Sequence, residues 1–177
     1  ELARMIYTCA DINDSPSAFR YPRGSGTATN IDLKKIKKLK IGKSKIISEG
    51  NDIILLSYGA RLSEVKKAAE ILFLEKKISS TIVDARFCKP LDKKLIFKLC
   101  NYHKALITIE EGSIGGFGSH VLNFLVNHKL DIHKKLIIET IELPDHFIDQ
   151  DTPENMYNFA KMNSANIVNR IVSRLKL

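Results

Sequence analysis

From Asp52 to the end of the chain, short continuous apolar runs alternate with longer amphipathic ones. "DIILLSYG" is apolar almost throughout and stops at Gly59, the pattern of a strand buried on both faces. "LSEVKKAAEILFLEKK" then repeats at helical spacing, which puts Leu62, Val65, Ala69, Leu72 and Phe73 on an inner stripe. "SSTIVDARF" reads as a second strand. "PLDKKLIFKLCNYH" reads as a helix with Pro90 near its first turn, where a missing N–H costs little. "KALITIEEG" and "KKLIIETIEL" supply two more strands, with the helical "GSHVLNFLVNH" between them, and "SANIVNRIVSRLKL" closes the chain as a helix. Such alternation forces parallel strands joined by right-handed crossovers, with helices covering both faces. The expected fold is α/β, a three-layer α/β/α sandwich around a mostly parallel sheet. Ligands approach such sheets at the carboxyl ends of the strands, so the loops after Tyr58, Ala85, Glu110 and Leu143 are the places to search.

The opening residues follow a different pattern. Leu2, Met5, Ile6 and Cys9 recur at helical spacing, "DINDSP" breaks the helix, and "SAFRYPRG" reads as a short strand ending at Pro22 and Gly24. A basic connector from Lys34 to Lys45 separates this unit from the alternating region, so the boundary falls near residues 30 to 42. The length of 177 residues fits one domain with a short extra piece. "ELARMIYTCAD" is not a signal peptide, no apolar run approaches the roughly 20 residues of a membrane span, and a chain opening on Glu1 fits a fragment or processed piece.

The net charge of +8 raises the question of nucleic acid. The excess is lysine, 21 against 7 arginines, and it concentrates in "DLKKIKKLKIGKSK" without an arginine or an aromatic residue. Nucleic-acid faces interleave those residue types, so solvated linker lysines are the expectation and no nucleic-acid partner is assigned. Cys9, Cys88 and Cys100 form no CxxC pair and read as small buried hydrophobes in a reducing compartment. His103, His120, His128, His133 and His146 fall in no ligand spacing, so no metal site is expected.

Three stretches carry candidate chemistry. "ITIEEGSIGGFGSHVLNFL" has the strand, glycine turn and helix of a dinucleotide fingerprint, with Glu139 as a candidate ribose acid. Yet Val121 stands where a third glycine belongs, and Glu110 and Glu111 oppose an anion at the mouth. Sharp turning and close helix packing explain the glycines better. Adjacent on a strand end, Glu110 and Glu111 point to opposite faces and do not share a substrate. Asp84 and Arg86, two apart, share a face and suit an ion pair. The third stretch, "SPSAFRYPRGSG", sets Arg20 and Arg23 around Pro22 ahead of Gly24 and Gly26. A planar guanidinium suits bidentate contact with phosphate or carboxylate, but spacing leaves open which arginine meets a ligand and which serves the fold.

Taken together, "SPSAFRYPRGSG", "STIVDARFCKPLD", "HKALITIEEGSIGGFGSHV" and "ELPDHFIDQDTPENM" resemble the C-terminal third of the 1-deoxy-D-xylulose 5-phosphate synthase family, in its order and at about its spacing. The pairing of "RYPRG" with "DARFCKPLD" and "LPDHFI" is the specific part, because transketolases and 2-oxoacid dehydrogenase beta subunits share the rest of the scheme. The resemblance implies an enzyme that condenses pyruvate and D-glyceraldehyde 3-phosphate with loss of carbon dioxide, in the non-mevalonate isoprenoid route, using thiamine diphosphate and magnesium. It implies residues 1–30 as the tail of a second, pyrimidine-binding domain, 31–41 as a linker and 42–177 as a transketolase C-terminal domain. The cofactor and metal ligands and the activating glutamate lie upstream in that family, so no catalytic, cofactor-binding or metal residue is carried over. The second arginine of "RYPRG" is, and it places substrate-phosphate binding on Arg23, leaving Arg20 to the fold. The remaining implied partners are the enzyme's own N-terminal domains and a second copy in a homodimer. The implied location is a plastid (the apicoplast of a parasite, given the Lys, Ile and Asn richness) or a bacterial cytoplasm. On the same resemblance the fragment alone is inactive.

Overall fold

The computed structural model describes residues 1–22, 36–128 and 136–176. In chain order the elements are α1 (Leu2–Ala10), β1 (Lys45–Ser48), β2 (Ile53–Tyr58), α2 (Leu62–Lys76), β3 (Ser80–Asp84), α3 (Lys93–Tyr102), β4 (Ala105–Glu110), α4 (Phe117–Asn127), β5 (Ile137–Ile141), α5 (Pro153–Phe159) and α6 (Ser164–Leu175). The strands form one sheet in the order β1-β3-β2-β4-β5. β2, β3, β4 and β5 pair in parallel, and β1 closes the edge antiparallel to β3.

The two central strands explain the apolar runs. All of Ile53 to Ser57 and all of Ala105 to Glu110 are buried, because each strand is covered on both faces. On one face Ile53, Leu55, Ile107 and Ile109 pack against Val65, Ala68 and Leu72 of α2 and Ile167, Val168 and Ile171 of α6. On the other, Ile54, Leu56, Val83 and Leu106 meet Ile96 and Cys100 of α3 and Phe117, Val121 and Phe124 of α4. The α/β sandwich expected from the alternation is therefore the observed fold.

Local readings need correction at several points. The buried stripe of α2 runs through Ala68, with Phe73 56% exposed, because the helix presents Val65, Ala68 and Leu72 to the sheet. Helix α3 starts after Asp92, whose side chain accepts the Leu95 N–H, so Pro90 lies ahead of the helix. β1 and α5 belong to no expected element. Residues 17–22 of "SAFRYPRG" form no strand, and the rest of that stretch lies outside the described residues. Of the thiols, Cys100 is buried whereas Cys9 and Cys88 are half-buried.

Asp92 also ties the alternating region to what precedes it. Its Oδ1 meets Lys43 Nζ at 3.0 Å and its Oδ2 accepts the Ser44 N–H at 3.1 Å. Further back, Leu39 N–H donates to Thr8 Oγ1 at 2.8 Å and Arg4 Nε to the Lys37 carbonyl at 3.0 Å, which fixes α1 against the connector. Lys38, an exposed member of the basic run, pairs with Asp11 at 2.5 Å.

Candidate functional site at the carboxyl end of the sheet

β4 ends in Glu110, 3% exposed, and the chain there must turn sharply into α4. The turn wraps the Glu110 carboxylate. Oε1 accepts the Gly118 N–H in the first turn of α4 at 2.7 Å. A Cβ at Gly112 would collide with Glu110 Oε2, and one at Gly116 would lie 2.6 Å from it. Gly118 is required for a second reason, because a Cβ there would lie 2.9 Å from Thr108 Oγ1 and 3.1 Å from Thr140 Cγ2, on β4 and β5. The glycines thus serve close packing and a carboxylate seat. The helix N-terminus that could draw a phosphate is occupied by an internal anion, which removes the dinucleotide reading. Glu139, its candidate ribose acid, instead pairs with Arg170 at 2.6 Å and Arg174 at 3.2 Å.

Glu111 points elsewhere, as expected for its neighbour on the strand end. Its Oε1 accepts Arg61 Nε at 2.7 Å, and the Arg61 guanidinium lies 3.4 Å from the centroid of the Tyr157 ring. Burial, and then the Glu111 carboxylate bonded to its hydroxyl, push the Tyr157 phenol above its usual range. This cation, ring and carboxylate pin α5 to the loop after β2.

On the other face of the sheet, Tyr58 at the end of β2 stacks on Phe117, centroids 5.0 Å apart. Burial raises the Tyr58 phenol and the Cys88 thiol; Glu110 raises both further, and the Arg20 charge opposes the shift at both. Cys88 is therefore a thiol and not a ready thiolate nucleophile. Arg20 is exposed, and its charge is felt at Tyr58 and Cys88. Arg23, with Gly24 and Gly26, lies outside the described residues.

Asp84 and Arg86 do not pair as their spacing suggested. Arg86 has φ +58°, so strand alternation ends before it. Its backbone N–H donates to Asp84 Oδ1 at 3.1 Å while its NH2 reaches Glu1 Oε1 at 2.6 Å. Burial pushes the Asp84 carboxyl up, against the Arg86 N–H bond that lowers it. Among the described residues no group of three or more His, Cys, Asp or Glu side chains has the arrangement of a metal site, and His133 lies outside them.

The sequence matches the family described as "Transketolase, C-terminal domain" over residues 42–167. The chain belongs to that family. A solved structure described as "Split gene transketolase, inactive beta4 tetramer" aligns with a TM-score of 0.71 at 23% identity, over 86% of this chain and 48% of that one. A 2-oxoglutarate:ferredoxin oxidoreductase from Magnetococcus marinus aligns more loosely, with a TM-score of 0.44 at 14% identity, over 75% of this chain and 19% of that one. The transketolase C-terminal domain accounts for the sheet order and the two helical layers, and this chain spans about half the length of the split-gene transketolase chain (48%).

Proposed function

We propose that this chain is the C-terminal part of a 1-deoxy-D-xylulose 5-phosphate synthase, which joins pyruvate to D-glyceraldehyde 3-phosphate with loss of carbon dioxide. One observation carries the reading: "RYPRG" stands ahead of a transketolase C-terminal domain that contains both "DARFCKPLD" and "LPDHFI". In it Arg23 contacts the aldehyde's phosphate and Arg20 serves the fold. The enzyme works as a homodimer with its own N-terminal domains, in a plastid such as the apicoplast or in a bacterial cytoplasm. Thiamine diphosphate and magnesium do not fit the described residues. Among the described residues the glycine turn into α4 holds the Glu110 carboxylate, and no acidic cluster with metal geometry accompanies it. Both are therefore assigned to residues upstream of this chain, and the isolated fragment is assigned no turnover of its own.

The test is the full-length protein with pyruvate and D-glyceraldehyde 3-phosphate, following deoxyxylulose phosphate and carbon dioxide. Product formation is expected; ketol transfer between sugar phosphates in its place would move the reading to a transketolase. Arg23→Ala should lower kcat/KM for the aldehyde by about 2 kcal/mol, the scale of one charge-assisted contact, and leave pyruvate nearly untouched. Equal losses for both substrates would show that Arg23 only supports the fold.

A further inference from the structure

Among the described strands, β1 forms one edge of the sheet and β5 the other, and the two edges are closed differently. An edge strand offers a row of peptide groups to any second strand, and proteins blunt it with lysine, proline or a bulge. β1 has two such devices, Lys45 at its start and a break in register between Ile46 and Ser48. β5 has neither. "IIETI" pairs in unbroken parallel register with β4, and it contains no lysine, proline or glycine. Isoleucine and threonine favour extended backbone, so nothing in the strand itself discourages pairing on its free side.

Ile137 N–H donates to the Lys104 carbonyl at 3.0 Å, so by alternation Ile137, Glu139 and Ile141 turn their peptide groups to β4. Those of Ile138 and Thr140 turn outward. Both outward carbonyls are already taken, by side chains of α6. Arg170 NH2 donates to the Thr140 carbonyl at 2.7 Å, and Arg174 places NH2 at 3.2 Å and Nε at 3.3 Å from the Ile138 carbonyl. The repeats match: two residues of strand span about 6.6 Å and four residues of helix about 6 Å. Glu139, between the two carbonyls in sequence, holds both guanidiniums, at 2.6 Å from Arg170 Nε and 3.2 Å from Arg174 Nε. Both arginine side chains are about half exposed, so these caps lie at the surface where a second strand would arrive.

We propose that the β5 edge is a pairing surface for the same edge of a second copy, and that Arg170 and Arg174 keep it shut. The edge is self-complementary. Placed antiparallel about a twofold axis at Ile138, two copies exchange both bonds of that residue and bring Thr140 of each against Leu136 of the other. The same register sets Glu139 opposite Ile137 and so keeps the two carboxylates from facing each other. The arginines occupy the acceptors this ladder needs, and Glu139 fixes them in place. This role is independent of the reaction that the full-length enzyme performs.

The test is the full-length protein carrying Arg170→Met and Arg174→Met together, which keeps most of the side-chain stem and removes both caps. Sedimentation velocity over about a hundredfold range of concentration follows its mass. Fluorescence anisotropy follows binding of a labelled peptide of residues 136–143, "LIIETIEL". The parent protein should hold one mass and bind the peptide weakly. The double variant should move to a larger mass as concentration rises and bind the peptide about tenfold more tightly, the scale of one or two freed backbone bonds. The peptide with Ile138→Pro and Glu139→Pro lacks a donor on each of its edges and should not bind. Glu139→Gln removes the ion pairs and leaves the arginine–carbonyl bonds, so it should behave as the parent does. Parent-like mass and peptide affinity in a double variant with native near-UV circular dichroism would overturn the proposal. So would a larger mass without gain in peptide affinity, or a Glu139→Gln protein that matches the double variant. If the double variant does not fold, Arg174→Met alone decides. It frees the Ile138 carbonyl and leaves Arg170 on Glu139 and Thr140, so tighter peptide binding upholds the proposal and unchanged binding removes it.

Discussion

The two ends of the sheet are held by different means. At the amino ends of the strands the bonds run between neighbouring strands and loops, and Ser80 Oγ at the start of β3 is the buried atom there without a partner among the described residues. Asp52 Oδ2 accepts the Ser79 N–H at 2.8 Å and its Oδ1 meets Lys104 Nζ at 3.1 Å. His103, 6% exposed, sits with Nδ1 2.9 Å from the Leu99 carbonyl and Nε2 2.9 Å from both the Gly50 carbonyl and Thr81 Oγ1. A Cβ at Gly50 would lie 2.5 to 2.7 Å from the backbone of Ser80, so even the turn into β2 is pressed against the neighbouring strand. The carboxyl end has a left-handed arginine, buried Ser57 Oγ and Arg86 Nε atoms without partners among the described residues, and ties to α1 and α5. One end is closed by its own side chains. The other is assembled from distant segments, which is where a family member has room to vary its chemistry.

Removing the Glu110 carboxylate should break this contrast most sharply. Glu110→Ala leaves a cavity and an unmet Gly118 N–H at the packed heart of the carboxyl end, and an expected loss of about 3 kcal/mol in urea unfolding. Glu110→Gln, which keeps the shape and an acceptor, should cost clearly less. If the two cost the same, the glycine turn is not organised by the charge-assisted bond. His103→Ala probes the opposite end, where it removes a buried ring and its bonds to the Leu99 and Gly50 carbonyls and Thr81 Oγ1, each of which keeps a second partner; about 2 kcal/mol is expected, mostly from lost packing, without effect on substrate KM in the full-length enzyme. A KM change there would show that the two ends are not independent.

The smallest effect sharpens the same point by pH. The Ser79 N–H, and then Lys104, hold the Asp52 carboxyl below its usual range. A carboxylate depressed in the folded state contributes stability above its unfolded pKa and loses it as pH falls through the folded value. Asp52→Asn should therefore lower Tm at neutral pH, by under about 1 kcal/mol in stability for so exposed a pair, and the difference should vanish in acid. A difference that persisted once the folded carboxyl is itself protonated would assign the effect to shape and not to charge.

Much of the layer structure was legible because burial on both faces writes itself into sequence. β2 and β4 are runs with no polar interruption beyond Ser57, Thr108 and the terminal residues. β1 was not legible: "KIIS" is four mostly exposed residues at an edge, and its lysines merge with the basic run before it. α5 has no buried residue and so no apolar stripe, although Thr152 at its N-cap and Pro153 in its first turn were a readable start signal. At the site, the opposed placement of Glu110 and Glu111 and the packing role of the glycines followed from alternation and size. The turn at Arg86 did not, because positive φ is usually flagged by glycine or asparagine and here nothing in the letters marks it. Nor could pairing across 85 positions, Arg86 to Glu1, be read from spacing.

Glu110 has a consequence beyond packing. It is in effect a tethered ligand, delivered to the start of α4 by the strand that precedes it. No diffusing anion competes well against a carboxylate already bound to the same backbone, since its local concentration is fixed by the fold and cannot be diluted away. The start of α4 thus carries a permanent carboxylate occupant of its own.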